Sequence, residues 1–201
     1  MLKVGITGGI GSGKSVVSRL FEVLGIPVYY ADAEAKQLMQ TDATLREKII
    51  SHFGEAAYQH DQLNRAYLAA QVFGNADKTQ LLNSLVHPVV IAHAEQWMQQ
   101  HEASQKFPYV LKEAALFFES GSAAGLDYII GVSAPQALRL QRVMHRDGVG
   151  RQEVLARMSR QIDESLKMKL CDFVLINDEQ QLLIPQVLAL HEQLLALRQA
   201  V

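Results

Sequence analysis

The run Gly8-Gly9-Ile10-Gly11-Ser12-Gly13-Lys14-Ser15 constrains this chain more than any other stretch of it. It fits G-x-x-x-x-G-K-[ST], and both flanks have the context that pattern needs. Leu2 to Thr7 is a short apolar run that reads as a buried strand, and beyond the loop Val17, Leu20, Phe21 and Leu24 recur at helical spacing. The glycines let backbone N–H groups turn inward towards an anion, and the helix starting near Lys14 adds the positive end of its dipole. The bland alternative is a glycine-rich turn that happens to precede a helix, and both flanks argue against it. The expected ligand is a nucleoside triphosphate, ATP with Mg2+. Gly11, Ser12, Gly13, Lys14, Ser15 and Val16 are expected around its phosphates, Lys14 reaching the β- and γ-phosphates and Ser15 ligating the metal.

Further strand patterns at 27–30, 109–111, 128–132 and 173–176 alternate with helical ones, which predicts a mostly parallel sheet covered on both faces. Helical stretches are expected near 33–39 and 45–53. From Arg65 to about Gln100 the pattern is helical, with breaks predicted at Gly74-Asn75 and His87-Pro88 and no strand between. Pro135 suits the first turn of a helix reaching Asp147; others are expected from about Gln152 and over about 182–197. The expectation is one α/β domain over 1–201, with a helical insertion at about 40–105 as substrate region and a lid at about 135–165.

With 201 residues, 49% of them hydrophobic, the chain can bury a substantial core. Nineteen basic and twenty-one acidic residues leave a net charge of -2, so there is no broad footprint for nucleic acid or an anionic membrane, and an anion must be bound locally. A single cysteine, Cys171, cannot form an internal disulfide and reads as a small residue at a strand entrance. No secretory signal or membrane-length apolar run is evident, and a cytoplasmic location is expected. The histidines lack zinc-site spacing, so no zinc site is expected.

Several side chains are candidates for chemistry. Asp32, just past the second strand, either accepts the proton of an acceptor hydroxyl or orients that hydroxyl, or else caps the helix beginning near Ala33. Glu113 either holds magnesium through water or is a strand-end surface charge. Arg139, Arg142 and Arg146 fall on one helical stripe. That stripe is either a solvated face paired with Asp147 or Glu153 or a lid that closes on a nucleotide, and the upstream loop favours the lid. A lid arginine such as Arg142 is expected to be solvated when no nucleotide is bound. His87 reads as a helix-start residue, and Trp97, with Val90, Ile91 and Ala94, as one core-facing stripe.

Taken in order, the motifs resemble those of the dephospho-CoA kinase family over nearly the whole chain. They are the TGGIGSGKS loop, Tyr30-Ala31-Asp32, Leu63-Asn64-Arg65, Leu82-Asn83 with His87-Pro88, Leu116 to Glu119, Arg142 to Asp147, Arg157 with Gln161, and Asp172 to Asn177. The resemblance implies a three-layer α/β/α P-loop NTPase core with a mostly parallel sheet, a helical substrate-binding insertion and a helical lid. It implies transfer of the γ-phosphoryl group of ATP to the ribose 3′-hydroxyl of dephospho-coenzyme A. It also implies Asp32 as catalytic base, Arg65 and the His87-Pro88 region facing the coenzyme, Arg142 reaching the transferring group, and the Asn177 end near adenine. Two positions depart from the family pattern: Tyr30 stands where an aspartate is usual, and Ala115-Leu116-Phe117 replaces Pro-Leu-Leu. A nucleoside or nucleotide kinase would share loop, sheet and lid; a non-catalytic nucleotide switch would share only the loop and sheet. Oligomeric state is not legible.

Overall fold

The computed structural model describes residues 1–199. The chain divides into two units, one made of residues 1–30 with the chain from Met98 onward and the other of Ala31–Trp97.

The first unit is built on a five-stranded sheet. Its strands are β1 (Leu2–Thr7), β2 (Val28–Tyr30), β5 (Tyr109–Glu113), β6 (Tyr128–Ser133) and β7 (Phe173–Ile176), in the order β2-β5-β1-β6-β7 and all parallel. β1 lies at the centre, pairing Leu2 with Tyr109 and Val4 with Tyr128. Its near-continuous burial is what a parallel strand with both faces covered requires. On one face Leu2, Val4, Ile6, Leu111 and Ile130 pack with Val17 and Phe21 of α1 (Lys14–Val23) and with Val187, Leu190 and Leu194 of α10 (Leu183–Gln199). On the other, Gly5 leaves room for Phe117 of α6 (Phe117–Ser120), and Gly131 for Met168 of α9 (Glu164–Lys169). The result is three layers, α/β/α. Helices α7 (Gln136–Asp147) and α8 (Arg151–Met158) share a small core of Leu140, Val143 and Val154. Pro135 is the N-cap of α7, one position before the first turn where the sequence had suggested it.

The second unit holds α2 (Ala31–Thr41), α3 (Ala43–Phe53), the hairpin β3–β4 (Tyr58–Gln59 and Gln62–Leu63) and α4 (Arg65–Val72). Helix α5 runs over Ala76–Ser104. The predicted break at His87-Pro88 does not occur. Proline removes one helical hydrogen bond, but Val86, Val90, Ala94 and Met98 are all buried at four-residue spacing and carry the helix across it. Trp97 is only partly buried, so it borders the apolar stripe instead of filling it.

Candidate active site

Because the strands are parallel, their carboxyl ends share one edge of the sheet, where ligands of such folds bind. The loop after β1 turns there through Gly11 and Gly13, whose φ values of 81° and 97° are left-handed and suit glycine. Gly13 is doubly constrained, since a Cβ on it would collide with the Asn177 side-chain amide. That amide donates to the Ser12 carbonyl at 2.8 Å. Helix α1 then starts at Lys14, with the Val16 and Val17 N–H groups both directed at the Gly13 carbonyl. A helix start leaves its first N–H groups without intrahelical acceptors, and with the dipole this makes it receptive to an anion.

Four successive loop residues are held by side chains from far along the chain. Glu164 Oε2 accepts from the Gly9 N–H at 3.2 Å and Gln161 Oε1 from the Ile10 N–H at 2.9 Å. Arg142 Nη1 donates to the Gly11 carbonyl at 3.4 Å, and Asn177 holds Ser12. The loop conformation is therefore fixed from outside as well as by its own glycines.

Each arginine of the predicted stripe meets an acid, which removes the repulsion of three like charges on one helix face. Arg139 pairs with Glu164 at 3.1 Å, Arg142 with Glu179 at 2.9 Å and Arg146 with Asp147 at 2.7 Å. Arg146, and then Arg157, hold the Asp147 carboxyl below its usual range. Glu153 pairs with Arg157, not with the stripe. Arg142 is largely covered, not the solvated side chain expected of an open lid: it is 25% exposed and also donates to the Asn177 carbonyl at 3.2 Å. Sequence reasoning missed Glu164 and Glu179. The one available signal was charge accounting, since the buried members of an arginine stripe need acids from elsewhere.

The Ser15 hydroxyl donates to Glu113 Oε2 at 3.1 Å. Glu113 ends β5 and is buried, so its reading as a surface charge fails. A hydroxyl and a carboxylate oxygen side by side form a hard oxygen donor set that suits Mg2+, which takes one or two protein ligands and completes its shell with water and substrate phosphates. Among the described residues no group of three or more His, Cys, Asp or Glu is arranged to hold a metal. Behind this edge, Glu119 accepts from the fully buried Lys167 ammonium at 3.0 Å and from the Ile162 N–H at 3.0 Å. Lys167 also donates to the Ala115 carbonyl at 2.8 Å, so the segment around Leu116 to Glu119 ties α9 to the sheet. Cys171 lies just ahead of β7, and burial pushes its thiol up to about 11.

The sequence model of the dephospho-CoA kinase family matches residues 2–182. The chain belongs to the dephospho-CoA kinase family. A dephospho-CoA kinase from Bacteroides fragilis is 39% identical over 189 residues, which are 94% of this chain and 91% of that one. A crystal structure from Thermus thermophilus, 33% identical, has a TM-score of 0.78 and covers 97% of this chain and 96% of its own. A dephospho-CoA kinase from Campylobacter jejuni, 29% identical, has a TM-score of 0.69 and covers 95% of each chain. With these stands the expected fold, a P-loop NTPase core with a mostly parallel sheet.

Set against the family motifs, the residues of the second unit fall as follows. Asp32 is exposed in the first turn of α2. The helix begins at Ala31, one residue ahead of it, so Asp32 is not the cap it could have been. His87 sits well inside α5 and not at a helix start; burial lowers its pKa, partly opposed by the charge of Asp32. That opposition brings Asp32 and His87 within electrostatic range of one another. Arg65, exposed, opens α4 after Asn64, whose side chain accepts from the Tyr67 N–H. In the first unit, Tyr30, at the family's usual aspartate, donates to Glu22 Oε2 at 2.9 Å, and burial raises its phenol pKa. Among the described residues no helix is long and apolar enough to cross a membrane.

Proposed function

We propose that this protein transfers the γ-phosphoryl group of ATP to the ribose 3′-hydroxyl of dephospho-coenzyme A, producing coenzyme A and ADP in the final step of coenzyme A synthesis. The observation that carries this reading is a phosphate loop at the carboxyl edge of a parallel sheet, with Ser15 set against Glu113, in a chain of a family named for this reaction.

In this reading Gly11, Ser12, Gly13, Ser15 and Val16 surround the phosphates and Lys14 neutralises charge on them. Ser15 and Glu113 would hold Mg2+, which supplies charge neutralisation at the phosphates when bound. Asp32 receives or orients the acceptor proton, while Arg65 and His87 face the coenzyme. Arg142 stabilises charge on the transferring group. Residues of about 40–105 form the substrate region, and those of about 135–165 act as a lid that excludes water. Asn177 lies near adenine. Direct in-line transfer requires no covalent enzyme intermediate. The reaction is assigned to the cytoplasm, where a lone cysteine stays reduced.

The test is ADP release with Mg2+ and ATP, comparing dephospho-coenzyme A with AMP and adenosine as acceptors. Dephospho-coenzyme A is expected to be much the fastest. Equal or greater turnover on AMP would replace this reading by a nucleotide kinase, and no turnover on any acceptor by a nucleotide-dependent switch.

A further inference from the structure

We propose that Glu164 is a positioning residue of the phosphate loop, clamping the Gly9 N–H and the Arg139 guanidinium together so that the loop is set before nucleotide arrives. The inference rests on the reading of that loop as the ATP site.

One carboxylate oxygen makes both contacts. Glu164 Oε2 accepts from Gly9 at 3.2 Å and from Arg139 Nη1 at 3.1 Å. Arg139 is 7% exposed. The pair lies so close to the loop backbone that a Cβ on Gly9 would collide with the Arg139 guanidinium. Position 9 is thus kept bare so that a buried ion pair can lie directly against it. Arg139 Nε and Glu164 Oε1 are both buried with no hydrogen-bond partner within the protein. Unsatisfied buried polar atoms are rare and concentrate where function outweighs stability.

The charges explain why the clamp needs both members. N–H groups converging on an anion site repel one another while the site holds no anion, so the loop needs acceptors to keep its shape. Glu164 and Gln161 supply them at Gly9 and Ile10. A bare carboxylate beside a phosphate site would repel the triphosphate, and Arg139 cancels that charge. The groups acting on Glu164 are Arg139 from α7, Lys167 on its own helix, Lys14 at the head of α1, and the Cys171 thiol. Burial is the strongest influence and raises the carboxyl above its ordinary range, with Arg139 foremost in pulling it back. A loop held in its receptive shape has less ordering to do on binding, which appears as affinity for ATP and not for the acceptor.

Three measurements on the whole chain test this. In calorimetry with Mg-ATP, Glu164→Ala should bind about tenfold more weakly. Glu164→Gln, whose amide oxygen still accepts from Gly9, should recover to within about threefold. The KM for dephospho-coenzyme A should stay within about twofold of wild type, because the acceptor does not use these groups. By NMR without nucleotide, the Gly9 amide proton of the wild type should shift with pH as Glu164 titrates above the ordinary glutamate range, and in Glu164→Gln that titration should vanish. An ATP affinity within twofold for Glu164→Ala, or a Gly9 amide that does not follow the titration, overturns the proposal. If Glu164→Ala fails to fold, the near-isosteric Gln variant and the Gly9 amide decide alone. Failure of the wild type to bind ATP would sink the function reading instead, so the two failures are distinguishable.

Discussion

The phosphate loop and the unit of residues 31–97 are stabilised in opposite ways. The loop's side-chain hydrogen bonds come from Glu164, Gln161, Arg142 and Asn177, across separations of 155, 151, 131 and 165 residues. In the other unit, Asp42 and Asn64 cap helices three residues on, Tyr67 donates to the Phe53 carbonyl 14 residues back, and Gln40 accepts from the Leu63 N–H across 23. The phosphate loop is thus held by distant residues of its own unit, whereas the candidate acceptor residues Asp32 and Arg65 stand exposed on locally encoded helices. The difference teaches that losing a holder of the loop should touch both fold and catalysis, and that losing an exposed candidate should touch catalysis alone.

Arg142 gives the largest expected effect and the sharpest test of the first half. Arg142→Ala should lower turnover at saturating substrates by about a hundred- to a thousandfold, the scale of a preorganised charge-stabilising donor. It should also cost about 1 kcal/mol of stability, because the contacts to Gly11 and Asn177 are lost. Arg142→Lys should restore part of the activity, since an ammonium lacks the planar fork. If denaturant melts show the stability loss while turnover at saturation survives, Arg142 is a frame residue, and the loop's holders are structural only.

Asp32 tests the second half. Asp32→Asn should reduce turnover by about a hundredfold, the scale of a general base. The melting temperature should barely move, because no cap is lost and an acid in a first helical turn contributes only about 0.3–1 kcal/mol. Turnover within a few-fold of wild type, measured at saturating dephospho-coenzyme A, would leave Asp32 with a helix-dipole role only.

His87 carries the smallest effect. Its folded pKa lies below the ordinary histidine value because of burial, so the folded chain takes up a proton less readily than the unfolded one. Stability should therefore fall as pH drops below about 6.5 towards the folded value. His87→Gln should flatten that slope in denaturant midpoints taken at pH 7.5 and 5.5. An unchanged slope would mean that burial of the imidazole does not couple to folding, and that this face of α5 is open enough to solvate the charged form.

Legibility follows the same division. β1 and β7 fall on the predicted residues because apolar runs bounded by turn residues are local signals. The hairpin of β3 and β4 was missed because its turn places His60 and Asp61 at φ of 50° and 60°, where Asn-Gly is the recognisable pair. Pro88 misled because a local rule about proline says nothing of the four-residue burial spacing that overrides it.

What the sequence determined by itself is the loop and its setting: glycines that permit left-handed turns, a strand before them, a helix after them, and a succession of motifs specific enough to indicate the family. All of these reside in neighbouring residues, where backbone sterics and helical or strand periodicity act. Only the tertiary structure decided which acids meet Arg139 and Arg142, that Glu113 is buried against Ser15, and that Glu164 reaches the loop at Gly9. Charge pairs form between groups that packing brings within about 4 Å, and packing joins residues whose separation along the chain carries no local signal.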